Sequence, residues 1–102
     1  MDKLEYFAKL VEEDPTEARG RFGFAHELFK AERWEEAARE FRAYLDLAED
    51  EGNAWGRLGE ALARLGRIDE AADAYLTGID QAIKFGHNGM ADEFRDAMEL
   101  LG

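Results

Sequence analysis

Residues 53–86 read NAWGRLGEALARLGRIDEAADAYLTGIDQAIKFG, and their spacing decides the fold. Trp55, Leu58, Leu62 and Leu65 recur at three- and four-residue steps, which lays them along one stripe of an α-helix. Gly66 ends that helix, because glycine enters the left-handed terminal conformation without strain. Ile68 and Asp69 restart the chain, and Ala71, Ala72, Tyr75, Ile79 and Ile83 form a second stripe that Gly86 closes. No stretch of the sequence alternates with period two, so no strand is expected.

The preceding 34 residues, 19–52, repeat this pattern: RGRFGFAHELFKAERWEEAAREFRAYLDLAEDEG. Aligned at that offset, the pairs Leu28/Leu62, Arg33/Arg67, Glu36/Glu70, Ala37/Ala71, Ala38/Ala72, Asp46/Asp80, Ala48/Ala82 and Gly52/Gly86 are identical. Phe24/Leu58, Ala25/Gly59, Trp34/Ile68, Phe41/Tyr75 and Leu45/Ile79 keep size and polarity. The chain is an internal duplication. In the first unit Phe24, Leu28 and Ala31 mark one helix, Glu32 to Trp34 a turn, and Ala37, Phe41, Tyr44 and Leu45 the next helix.

The 34-residue helical pair resembles the tetratricopeptide repeat, whose pattern is W-x2-L-G-x2-Y, then A-x3-F, then P. Trp55, Leu58, Gly59, Leu62, Ala71 and Tyr75 match it in the second unit. Phe24, Ala25, Leu28, Ala37 and Phe41 match it in the first, with Arg21 in the tryptophan slot. Small residues at Ala25/Gly59 and Ala37/Ala71 let paired helices approach closely, and the large ones fill the gaps beside them. Tyr44 takes a slot that the family usually gives to alanine, and no proline follows either unit. The resemblance implies an all-α fold, a right-handed solenoid of antiparallel helix pairs.

The flanks fit the same scheme. Phe7 and Val11 precede Phe41 and Leu45 by 34 residues, so residues 2–14 resemble the second helix of a truncated leading repeat that ends at Pro15. Residues 88–101 fit with a shift of 36, aligning Phe94, Met98 and Leu101 with Leu58, Leu62 and Leu65, as a capping helix over the open end of the stack. One domain with six helices is expected, at about 2–13, 17–31, 35–48, 53–65, 69–85 and 89–101.

Composition narrows the function. The 102 residues carry 24 acids against 13 bases, net −11, a field that repels phosphate backbones and anionic membranes. No run approaches transmembrane length or the apolar core of a signal peptide, so a cytoplasmic protein is expected. There is no cysteine and no serine, and the two threonines are Thr16, expected to cap a helix after Pro15, and Thr77. Nucleophilic catalysis has almost no candidates. His26 and His87 lack further ligands at metal spacing, and no glycine-rich loop follows a strand, so neither metal nor cofactor is expected. Glu5–Lys9, Glu35–Arg39, Glu60–Arg64 and Asp80–Lys84 stand in i,i+4 register, as ordinary solvated helix pairs do.

A protein that binds other proteins, and no enzyme, is the expectation that remains. In the family the first helices of successive repeats line a concave surface that takes extended peptides or partner helices. Carried over by resemblance, that groove holds Arg19, Phe22, His26, Phe29, Lys30, Asn53, Gly56, Arg57, Glu60, Ala63 and Arg64. Phe22, His26 and Phe29 form a second stripe beside Phe24, Ala25 and Leu28, and such a stripe floors a binding groove or packs internally. The surplus of bases on residues 17–31 and 53–67 favours an acidic peptide, unless Asp92, Asp96 and Glu99 of the cap neutralise them. Phe22 and His26 stand where the family's receptors for a terminal carboxylate carry lysine and asparagine, so that activity is not implied. The alternative to a peptide-binding module is a self-associating scaffold whose apolar stripe is buried in a homodimer.

Overall fold

The computed structural model describes residues 1–102. It contains α1 (Lys3–Glu13), α2 (Ala18–Lys30), α3 (Trp34–Leu47), α4 (Asn53–Arg64), α5 (Ile68–Lys84) and α6 (Asn88–Glu99), with no strand. Each helix lies within two residues of its expected bounds. Two compact units form, Met1–Glu49 with α1 to α3 and Asp50–Gly102 with α4 to α6.

One turn chemistry ends α2, α4 and α5. Arg33 N donates to Leu28 O and Glu32 N to Phe29 O; Arg67 N donates to Leu62 O and Gly66 N to Ala63 O; His87 N donates to Ala82 O and Gly86 N to Ile83 O. These paired bonds satisfy carbonyls that the helix leaves without partners, and they require a left-handed residue at the turn. Gly66 and Gly86 supply it at φ 78° and 79°. In the first repeat Glu32 takes the same place at φ 60°, the one non-glycine residue of the chain with positive φ.

The starts of α1 and α2 are capped by carboxylates. Asp2 accepts from Glu5 N and Glu17 from Gly20 N. Thr16, expected to cap α2, instead donates its hydroxyl to Asp14, and Glu17 caps the helix because its longer side chain folds back onto the first turn. The buried Asp50 accepts from both Gly52 N and Ala54 N at 2.9 Å, which fixes the approach to α4.

In the first unit α2 packs against α3 and α1. Ala25 and Leu28 of α2 and Ala37, Ala38 and Phe41 of α3 are buried. Arg21, the residue in the tryptophan slot, reaches Glu40 of α3 at 2.6 Å, and the two side chains are only 19% and 10% exposed. An ion pair thus bridges the helices where the family pattern has an aromatic side chain. In the second unit α5 packs against α4 and α6. Leu58, Ala61 and Leu62 of α4 and Ala71, Ala74, Tyr75, Ile79 and Ala82 of α5 are buried, and Met90, Phe94 and Met98 of α6 cover the far end.

Candidate functional site

Each unit holds a cleft. In Asp50–Gly102 a cleft of about 270 Å³ runs between α4 and α6. Asn53, Gly56, Arg57 and Glu60 form one wall, Met90, Glu93, Phe94 and Ala97 the other, and Tyr75 of α5 lies between them. The walls stand close because α4 carries glycine where it crosses aromatic rings. A Cβ on Gly56 would lie 2.5 Å from the Phe94 ring, and one on Gly59 2.9 Å from that of Tyr75. Phe94 also meets Gly78 of α5, so its ring occupies a hole framed by two glycines. Burial holds the Tyr75 hydroxyl above the ordinary tyrosine range, with the Glu60 carboxylate adding to the effect.

The equivalent positions in the first repeat are Phe22 and Tyr44, and there the aromatics meet each other, ring centroids 5.1 Å apart. Tyr44 therefore occupies the alanine slot because it fills, with Phe22, the space that Phe94 fills in the second repeat. Phe22 also packs edge-on to Phe41, and Phe29 packs edge-on to Phe41 and to Trp34. The second stripe of α2 is largely taken up by α3. Part of Phe22 and the His26 ring stacked on it remain in the other cleft, about 330 Å³ between α1 and α2. Lys3, Tyr6 and Phe7 complete it from α1, with Gly23 and Glu27 from α2.

Of the residues expected in a groove, Asn53, Gly56, Arg57 and Glu60 come together in the α4–α6 cleft, and Phe22 and His26 in the α1–α2 cleft. Arg19, Phe29, Lys30, Ala63 and Arg64 line neither. The bases of α2 are each held by a carboxylate: Arg19 by Glu17 at 3.3 Å, Arg21 by Glu40 at 2.6 Å and Lys30 by Glu27 at 3.2 Å. Arg64 stands 3.8 Å from Glu60. The face of α6 in the cleft carries Glu93 rather than Asp92, Asp96 and Glu99, and Asp92 pairs with Arg95 on its own helix.

The family model described as tetratricopeptide repeat matches residues 22–84, from α2 to the end of α5. The chain belongs to the tetratricopeptide repeat family. It is all-α, a helical repeat of two full units with flanking helices, and it belongs to a class of protein-interaction modules. Among 24 matching solved chains is the solution structure of protein BPP2914 from Bordetella parapertussis, TM-score 0.82 and 22% identical, covering 99% of this chain and 88% of that one. That likeness concerns the fold alone. No curated protein matches the chain. No helix of this tetratricopeptide repeat chain is long and apolar enough to cross a membrane. Tyr6, Phe7, Tyr75, Met90, Glu93 and Phe94 line the clefts without having been expected there. For α1 the signal was present in the sequence, as its apolar residues wrap too far round the helix for one neighbour.

Proposed function

We propose that this chain holds a partner protein by taking a peptide or helix into the α4–α6 cleft, and that it performs no catalysis. The observation that carries this reading is the convergence of Asn53, Gly56, Arg57 and Glu60 on one wall, opposite Glu93 and Phe94. Asn53 supplies amide donors and an acceptor for a ligand backbone, Arg57 a charged donor, and Met90, Phe94 and Tyr75 an apolar floor. A ligand segment with one large apolar side chain and an acid directed at Arg57 suits this lining. Glu60 and Glu93 repel further acids, so the negative charge belongs at one end of the segment.

The test is to select peptides from a displayed library on the immobilised full chain and titrate the winners into isotope-labelled protein. Amide shifts are expected at Asn53, Gly56, Arg57 and Glu60, with Arg57→Glu weakening binding and lowering its salt dependence. Shifts confined to the outer face of α5 would overturn the reading. They would favour self-association instead, for which Ile68, Leu76 and Ile83, all exposed along one stripe of α5, are the supporting observation. Light scattering of Leu76→Glu decides that alternative.

A further inference from the structure

Two helices of the second unit begin with asparagine, α4 at Asn53 and α6 at Asn88, and both residues are exposed. The two starts are built differently. Before α4, the buried Asp50 accepts from Ala54 N at 2.9 Å, and Ala54 is fully buried. The main-chain nitrogen that follows Asn53 is thereby tied to a carboxylate and screened from water. Before α6 no side chain supplies a cap, and the first amide to be bonded is that of Ala91, to His87 O at 3.1 Å. The nitrogen that follows Asn88 belongs to Gly89, which is exposed, and a Cβ built there would meet nothing within 4 Å. Glycine in the first turn of an uncapped helix also lets that turn fray.

We infer that Asn88 is a site of spontaneous deamidation and that Asn53 is not. When the first turn of α6 opens, the Gly89 nitrogen gives up its proton to solvent base and attacks the side-chain carbonyl carbon of Asn88. The side-chain nitrogen leaves as ammonia, and a succinimide ring closes. Water then opens the ring at either carbonyl. Opening at the side-chain carbonyl gives an aspartyl residue. Opening at the main-chain carbonyl gives an isoaspartyl residue, in which the former side-chain carbons carry the main chain. Water enters and ammonia leaves, with nothing oxidised or reduced.

The site lies where α6 is fastened to the loop before α4. On one side of it, His87 Nε2 lies 2.7 Å from Glu51 Oε1. On the other, Met90 packs so close to Gly52 that a Cβ there would come within 2.7 Å of its Sδ. The isoaspartyl link adds a carbon to the main chain between these two contacts, so both cannot be kept in helical register. Met90 lines the α4–α6 cleft, and its displacement alters that wall. The aspartyl product keeps the main chain and sets a carboxylate at a helix N-terminus, where it is favourable. Neither outcome depends on what the cleft binds.

The test is to age the full chain in mildly alkaline buffer, digest it with trypsin, and follow by mass the peptides 85–95 and 43–57, which hold Asn88 and Asn53. Acid is expected to form in the first at least about tenfold faster than in the second, and within about tenfold of the rate in a free 85–95 peptide. Gly89→Ala should slow it by about tenfold or more. The isoaspartyl form, separated by ion exchange and identified by enzymatic methylation of its carboxyl, should shift the amides of Glu51, Gly52 and Met90. Asn88→Asp should leave Gly52 and Met90 in place. The inference is overturned if Asn88 ages no faster than Asn53, or if folding slows it beyond the stated range. It is also overturned if Gly89→Ala has no effect, or if the isoaspartyl form leaves Gly52 and Met90 unmoved.

Discussion

Glu32 holds a glycine's conformation without being one. A side chain at positive φ costs about 1–2 kcal/mol through contact of Cβ with the backbone, and Glu32 sits at φ 60° where the second repeat has Gly66. Glu32→Gly should therefore raise the unfolding free energy by about 0.5–1 kcal/mol, after the glycine's larger unfolded-state entropy is subtracted. Urea titration checks it. Glu17 offers a pH test at the same scale. The Gly20 amide holds its carboxyl below the ordinary glutamate range; desolvation opposes this in part, and Arg19 adds to the lowering. A depressed folded value means that its contribution is complete above the unfolded pKa and is lost as pH falls through the folded one. The amides of Gly20 and Arg21 should lose exchange protection in that acid window, and Glu17→Ala should remove the pH dependence. Neither feature stood out in the sequence. Position 32 was legible as a turn, but its strain shows only beside Gly66, and Thr16 hid the capping role of Glu17 by having the better-known residue type.

Between elements, the aromatic at the helix crossing is supplied in two different ways. The first repeat carries Phe22 and Tyr44, whereas the second carries Gly56 and Gly78 and receives Phe94 from α6. Gly56→Phe alone should clash with Phe94, and Phe94→Ala alone should leave a hole; each is expected to cost about 2–4 kcal/mol. Combined, they should cost clearly less than their sum, because the new ring fills the vacated space as Phe22 does. A double-mutant cycle in denaturant reads the coupling. The ion pair between α2 and α3 gives a second test. Arg21→Ala leaves the buried Glu40 carboxylate only the longer, 3.9 Å contact with Arg39 and should cost about 2–3 kcal/mol, while Arg21→Trp with Glu40→Leu should recover most of that. The 34-residue period made the helices legible because Leu, Ala and Gly recur in register. The Arg21–Glu40 bridge was not, since its partners lie 19 residues apart on facing helices with no periodic signal between them. The seat of Phe94 was missed for a related reason: the shift of 36 matched it to Leu58 as one more stripe residue, whereas its ring sits against Gly56 and Gly78.

At the scale of the molecule, −11 charges on 102 residues repel one another. Self-repulsion destabilises the compact state and is screened by salt, so the melting temperature should rise between low and moderate ionic strength. Calorimetry at two salt concentrations tests this, and an unchanged or falling midpoint would show that the ion pairs outweigh the net charge. Solubility should pass through a minimum near pH 4.5, the isoelectric point. Family and class of function were legible from the repeat. The clefts were not, because they depend on which ring enters which gap, and periodicity fixes faces without fixing their occupants.

The borrowed ring of the second repeat has a consequence in time. A chain leaves the ribosome from its N-terminus at about 5–20 residues per second. The first repeat contains its own aromatics, Phe22, Phe41 and Tyr44, so its core residues are complete once residue 47 has emerged. The second repeat has every helix-forming residue in place at Lys84, yet its hole stays open until Phe94 follows. Nascent chains stalled with their last exposed residue near 86 should protect α2 and α3 from protease while α4 and α5 are still cut. Stalls beyond residue 99 should protect all four.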